Sequence, residues 1–518
     1  MNLTTEPWIP VIDEEGKARQ VSLRQVFAEG KKLRDLAVRP HERVALMRLF
    51  ICIAQAALDG PADGEALERC GEVLPEAAER YLDQWEDCFD LFHPEKPFLQ
   101  FAGLCKPPKL AVKLSKKAAA REGEEEEGTA ASKLDFALAT GNNTTLFDHA
   151  AASEEARSFG PAQLAVMLIT FQCFSPGGRI GVARWRGAET PGEGSSGHAP
   201  CAPSAMLHAY IRRGTLMESI QANLLSRWAV KKNYRRDWGR PVWEQMPQTF
   251  SDGPAVANAT TTYLGRLMPL ARALWLRADG KGLVLANGLD YPTPPEFPTE
   301  PTASLVRKRD ESGYVLVGAG NRGLWRELPS VVVKRLADDG AGGPLVLGEI
   351  ANGASLDLWV GALMTDKASI LDTVEGVYAV PARMLNEVGR RAYEDEVKES
   401  EAVASKLSWA CKTYRQHLEL KPQGYPEQGA ALRRYWTSVE QRLALLHNYL
   451  NAPDASEAGK LALSQWRMML RNAARDAFNA TCAHETPRQL RAHALALRSL
   501  QRSQAKPDQT PEAKTEPQ

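Results

Sequence analysis

No run of apolar residues in this chain can cross a bilayer. The longest, Leu49 to Ala57, is far short of the roughly 20 residues a spanning helix needs, and it contains Gln55. The opening MNLTTEPWIPV has no basic stretch ahead of an apolar core, so no secretory leader is read there. The expected location is the cytoplasm, with no membrane among the partners. Paired cysteines are missing too. The eight cysteines are scattered without a C-x-x-C pair, and Cys482 with His484 offers only two neighbouring donors, too few for a zinc site. Reduced structural thiols and no metal are expected. Nor is there an excess charge: 64 Lys and Arg offset 64 Asp and Glu, which excludes a wholly basic nucleic-acid coat and leaves local patches.

Catalytic signatures are absent as well. Nothing reads H-E-x-x-H, G-x-x-x-x-G-K-[ST] or G-x-S-x-G, and the nine histidines stand at no recognisable spacing from a nucleophile. No catalytic residue and no cofactor are assigned. One G-x-G-x-x-G match, Gly318 to Gly323, follows the strand-like Tyr314–Val317 and keeps an NAD(P)-dependent oxidoreductase as the alternative. That site needs its loop to open a helix, and only Leu324 to Leu328 intervene before Pro329 and the next strand-like run. A hairpin connection fits better.

What is present separates into four regions, as suits a 518-residue chain too long for one core. In the first, Val44, Met47, Ile51 and Ala54 share one face of a helix after Pro40, and a second helix is expected near Ala77 to Phe92, stopped by Pro94 and Pro97. The second, about 106–134, carries Lys-rich then Glu-rich runs and predicts a mobile insertion. The third reaches Tyr378 and is mixed: an apolar helix from Pro161 to Phe174, then strand-like runs at Ala273–Arg277, Gly282–Ala286, Tyr314–Val317 and Ser330–Val333, as in antiparallel sheet. Tyr291 to Pro301 reads as a surface connection. The fourth is helical. Leu432, Trp436, Val439, Leu443, Leu446 and Leu450 recur three and four apart, as do Leu463, Trp466, Leu470, Ala473 and Ala477, and loops divide the region into four helices. The fold class is α+β: a mixed domain over 1–378, a four-helix bundle over 379–502 and a disordered tail over 503–518.

Four surfaces suit contact. Gly141 to His149 (GNNTTLFDH) is a polar loop carrying an apolar Leu146-Phe147 wedge that a purely solvated loop has no use for. A basic segment holds Arg212, Arg213, Arg227, Lys231, Lys232, Arg235, Arg236 and Arg240, interleaved with Trp228, Tyr234, Trp238 and Trp243, and reads either as a nucleic-acid surface or as a solvated face with its aromatics turned inward. Arg467, Arg471 and Arg475 form a stripe opposite the bundle seam, with the same two readings. Gly177, Gly178 and Arg179 form a Gly-rich turn able to approach a phosphate or a groove edge, or to cap the preceding helix.

In order along the chain, Asn2-Leu3 with Trp8-Ile9-Pro10-Val11, His93-Pro94 with Pro97-Phe98-Leu99-Gln100, the loop at Gly141, the turn at Gly177 and Ala368-Ser369-Ile370-Leu371 resemble the large subunit (CasA) of the type I-E CRISPR surveillance complex Cascade. The resemblance spans Met1 to about Arg502. It implies a non-catalytic subunit that recognises the protospacer-adjacent motif of double-stranded target DNA, helps open the duplex and recruits a helicase–nuclease. The implied partners are that DNA, the crRNA 5′ handle, the backbone and small subunits of Cascade, and the helicase–nuclease. A purely structural scaffold is a further alternative. Asn142, Asn143, Leu146, Phe147 and Asp148 match the family's docking loop at the handle, and Gly177, Gly178 and Arg179 its minor-groove glycine loop. Thr365, Asp366, Lys367 and Ala368 match the hairpin that separates strands. The family's best-known version carries an amide where Lys367 stands; Lys donates but cannot accept, so the same base-edge mimicry is not available. Lys231, Lys232, Arg235, Arg236, Arg467, Arg471 and Arg475 are the candidate sequence-independent DNA contacts.

Overall fold

The computed structural model describes residues 1–106, 129–136, 157–174, 180–190, 206–292, 300–307, 314–316, 323–335, 342–350, 353, 355–366, 369–419, 426–453 and 455–501. The chain divides into two compact units, Met1–Leu385 and Asn386–Gln518.

The first unit opens with β1 (Ile9–Asp13) between β2 (Ala18–Val21) and β3 (Leu33–Leu36), all antiparallel, with α1 (Leu23–Glu29) started by a Ser22/Gln25 capping box. Helix α2 (Pro40–Ala57) starts on its own proline and is buried nearly all round, His41, Glu42, Arg48 and Gln55 included, so it lies in the core rather than on it. Helix α3 (Gly64–Gln84) begins where Asp63 accepts from Ala66 N–H, and it buries Cys70, Leu74, Ala77, Ala78, Tyr81 and Leu82. It therefore starts before and ends before the expected Ala77–Phe92. Helical continuation loses to pairing with the N-terminus: Leu3 N–H bonds Phe89 O, and Leu91 N–H bonds Met1 O.

Strand β4 (Thr129–Ala130) and a 3-10 turn, Ala131–Leu134, correct the extent of the expected insertion. The charged runs end before Thr129, and Ala131 and Leu134 are buried because β4 pairs with the sheet described next. The apolar helix α4 (Pro161–Phe174) has the expected bounds. After it come a small hairpin, β5 (Arg184–Trp185) and β6 (Ala188–Glu189), then β7 (His208–Arg212), α5 (Leu216–Ala222), α6 (Arg227–Lys232), α7 (Gly253–Thr261) and α8 (Tyr263–Leu267). Strands β8 (Arg272–Leu276) and β9 (Gly282–Asn287) join β4 in the order β4-β9-β8. The Tyr291–Pro301 connection is not wholly superficial, since Tyr291, Glu300 and Pro301 are buried at its ends. Strands β10 (Leu305–Arg307) and β11 (Tyr314–Leu316) pair antiparallel. The expected strand at Ser330–Val333 is instead entered by the one-turn helix α9 (Leu328–Val331), which Pro329 favours at its first turn. The longest hairpin follows: β12 (Leu356–Asp366) and β13 (Ser369–Val380), in a sheet of order β13-β12-β7.

The second unit is helical: α10 (Glu387–His417), α11 (Pro426–Glu440), α12 (Leu443–Asn451), α13 (Glu457–Thr481) and α14 (Pro487–Gln501). A break at Gln441–Arg442 splits the second of four rods. Contacts from Glu396 to Arg467 and from Tyr414 to Ala483 run in the same direction along α10 and α13, so the rod between them must return. The expected seam is buried at Val439, Leu443, Leu446 and Leu450 and at Trp466, Leu470, Ala473 and Ala477, and it shifts by one residue only at the start of each run. Ala431 and Tyr435 are buried while Leu432 and Trp436 are half-buried, because Tyr435 can satisfy its hydroxyl inside, donating to Ser400 O at 2.8 Å. Ala462 likewise takes the interior position in place of the half-buried Leu463.

Candidate nucleic-acid interface

Strand β12 is covered on both faces along its middle: Leu358 to Leu363 are all buried, and only Asp357 near its start is exposed. Trp359 is anchored as well: its Nε1 donates to Glu375 Oε2 at 2.7 Å, and the Arg43 guanidinium lies 5.6 Å from its ring centre. Gly361 is required beneath that ring, because a Cβ there would collide with Trp359. The hairpin outruns its sheet. Strand β7 pairs with Asp357 to Gly361, whereas the β12–β13 pairing continues to Asp366↔Ser369. Among the described strands, residues 362–366 therefore have a partner on one side only. The register shifts between Met364↔Asp372 and Thr365↔Ile370, leaving Leu371 as an extra residue of β13, 48% exposed. Such a bulge bends and twists the ladder close to its end. Thr365 and Asp366 close β12, and Lys367 and Ala368, the two residues between the strands, lie outside the described residues.

The basic segment divides into an inner and an outer set. Arg236 is 3% exposed, and Tyr234 and Trp243 are also interior; Tyr234 donates to Leu345 O at 2.6 Å, and Trp243 Nε1 to Tyr81 Oη at 2.9 Å. The expected DNA contact at Arg236 is corrected accordingly, since a buried guanidinium cannot reach a phosphate. Arg212 pairs with Asp35 at 3.3 Å, and Arg227 pairs with Asp59 beneath the Trp238 ring. On the outside, Trp228 is 54% exposed, and Lys231 and Lys232, three and four residues on, share its face of α6. Arg235 is also exposed, held at a positive φ of 53° directly after the anchored Tyr234. The outer set is thus one aromatic face with Lys231, Lys232 and Arg235 beside it, and Arg213 and Arg240 are exposed at the two ends of the segment.

In the bundle, Arg467 grips the buried Glu396 with two of its nitrogens, its Nη2 at 2.5 Å from Oε1, and so ties α13 to α10. Arg475 bonds Asn472 at 3.3 Å, and Arg471 is exposed. The stripe is therefore partly structural. The loop residues Asn142, Asn143, Leu146, Phe147 and Asp148, and the turn Gly177, Gly178 and Arg179, lie outside the described residues.

The oxidoreductase alternative loses its frame. Gly323 leads into a 3-10 turn, Leu324–Arg326, and the one-turn α9, and every described pair of named strands is antiparallel. Among the described residues no crossover helix follows β11. Among the described residues no group of three His, Cys, Asp or Glu is arranged to hold a metal ion, and no described helix is long and apolar enough to cross a membrane.

A two-unit α+β chain with an overrunning hairpin belongs to a class that comparison with known proteins makes specific: CRISPR-associated proteins. The family model described as CRISPR-associated protein Cse1 matches residues 2–477, and the chain belongs to that family, the large subunit of type I-E Cascade. CRISPR-associated protein CasA/Cse1 of Thermus thermophilus is 27% identical, over 93% of this chain and 92% of its own. The fold is shared with Thermobifida fusca Cse1 (TM-score 0.73, 18% identity, 96% of this chain and 98% of that one). It is shared also with a chain of a CRISPR RNA-guided surveillance complex (TM-score 0.67, 17% identity, 96% and 99% covered).

Proposed function

We propose that this chain is the non-catalytic subunit of a crRNA-guided antiviral complex that reads a short duplex motif in target DNA, opens the duplex beside it and recruits the helicase–nuclease. Family membership supports the complex, and the likeness to a chain of an RNA-guided surveillance complex agrees with it. The observation that carries strand opening is the hairpin: a two-stranded ribbon that continues past its third strand, bent by a bulge near its end, can enter a groove without moving the sheet behind it. In this reading Lys367 and Ala368 sit between the strands at the duplex. Gly177, Gly178 and Arg179 meet the minor groove, and Asn142 to Asp148 dock at the crRNA 5′ handle. A guide RNA reads the remaining sequence by base pairing, which leaves the protein only a short motif to recognise.

The test replaces Thr365–Leu371 with an Asn-Gly turn, which joins the paired Met364 and Asp372 and closes the shortened ribbon, and rebuilds the full complex. Assembly should be unchanged while R-loop formation, followed by permanganate reactivity of unpaired thymines, slows by at least about ten-fold, a loss of roughly 1.4 kcal/mol of transition-state stabilisation. Normal opening by the shortened hairpin would remove the wedge role.

A further inference from the structure

The β8–β9 hairpin and the segment after Leu91 border an open cleft of about 710 Å³, within the range of ligand sites. Its chemistry follows from local structure. Trp275 lies directly opposite Val284 in the ladder, and Arg277, two residues on, falls on the same face. Trp275 is half-buried there, between the buried Leu274 and Leu276. The neighbouring segment is fastened to this edge, because Phe101 N–H donates to Leu274 O at 2.9 Å and Leu276 N–H donates to Gln100 Oε1 at 2.8 Å. That fixes where Phe92, His93 and Lys106 enter the lining. His93 Nδ1 accepts from the N–H groups of Glu95 (3.1 Å) and Lys96 (3.0 Å). In the neutral ring the hydrogen must then sit on Nε2, which makes His93 a donor. Arg277 is half-exposed and only loosely paired, at 3.8 Å, with Asp279. No carboxylate is among the described residues of the lining.

Aromatic faces beside two cationic side chains and a donor suit one ligand chemistry. An aliphatic ligand would not match the positive charge of Arg277 and Lys106, and a simple anion would not match the apolar faces of Phe92 and Trp275. A nucleotide uses both, with its base stacked and its phosphate paired. We infer that this cleft binds an unpaired nucleotide of a single strand, its base against Trp275 or Phe92 and its phosphate toward Arg277 and Lys106. The inference rests on the nucleic-acid reading above for the class of partner and adds a site remote in sequence from the hairpin. The two fail separately: the hairpin is tested by opening in the complex, the cleft by single-strand binding to the chain alone.

Labelled oligothymidylate and oligouridylate of equal length are titrated against the full chain, with fluorescence anisotropy as the readout. The chain should bind, and Trp275→Leu should weaken binding about ten-fold through lost stacking. Arg277→Glu should weaken it comparably and lower the salt slope by about 0.7, the value of one single-strand phosphate. Arg277 is on the surface, so this variant carries the test should Trp275→Leu fail to fold. Tighter binding of thymidylate assigns the strand to DNA, and of uridylate to RNA. Photocrosslinking with 5-iodouracil should label the peptides holding Phe92 or Trp275. Absence of binding, affinities unchanged in the folded Arg277→Glu variant, or labels confined to other peptides overturn the site.

Discussion

Glu300 is fully buried between two guanidiniums, Arg48, with which it forms an ion pair, and Arg266 at 3.8 Å. Burial alone would raise its carboxyl pKa, but the two cations outweigh burial and bring it down to about 2. Thr302 Oγ1 donates to the same carboxylate at 3.2 Å and lies 2.9 Å from His208 Nδ1, so the imidazole must donate there and leave Nε2 without a proton. Burial, with Arg48 adding repulsion, pulls His208 down to about 4, and burial with Arg39 takes His41 to about 3. The sign follows from which state binds more protons. Both histidines stay neutral in the folded chain while their unfolded counterparts protonate below about 6.5, so stability is intact above that pH and declines toward 4. Each contributes about 1.4 kcal/mol per pH unit inside its window. Glu300 adds its own loss below about 4.5. Thermal melts should therefore weaken from pH 6.5 downward, and His208→Gln should flatten that limb by about one proton; an unchanged slope would show that His208 does not titrate on unfolding. Glu300→Gln, which strands two buried cations, should cost about 3–5 kcal/mol at neutral pH.

At the scale of elements, α6 separates two roles that look alike in the sequence. Lys231 and Lys232 sit outside beside Trp228, and Arg236 sits inside, only a few residues further along. Lys231→Glu with Lys232→Glu should leave the melt unchanged, weaken binding of the chain to a mixed-sequence duplex and lower the salt slope by about two, near 0.9 per phosphate contact. Arg236→Ala should instead lower the melting temperature; the opposite pattern would refute the division. Why the sequence could not make this division is physical. Periodicity locates an element's buried face when apolar residues mark it, as in α4, whose bounds were legible from composition, or in the bundle, where the seam was legible to within one residue. Tyr435 displaced Trp436 from the interior through a hydroxyl bond to Ser400, which no pattern encodes. Charged residues carry no such mark, so Arg467 looked like part of a free stripe although Glu396 holds it. The β12–β13 ribbon was locatable only at its turn, through resemblance. Its overrun depends on β7, more than a hundred residues earlier, and its bulge depends on register.

For the whole molecule, the two units pose a question about independence. Every helix of the second unit packs on another helix of that unit: α11 and α12 on α13, and α14 along α10. Long-range ties inside it include Arg467 to Glu396, Tyr435 to Ser400, Tyr414 to Ala483 and Arg488 to Leu418 O. A unit with its own helix packing and long-range polar ties should fold when separated from the rest. The family match ends at residue 477, within α13, yet α14 buries Ala492, His493 and Ala496. That last helix is therefore part of the unit's core rather than a trailing extension. The fragment 386–501 should give a single cooperative melt by far-UV circular dichroism, whereas 386–486, lacking α14, should melt gradually because one flank of α10 is stripped of its cover. A gradual melt for the longer fragment would show that the first unit is needed for the bundle to fold. Cooperative melting of the shorter fragment at an unchanged temperature would make α14 dispensable.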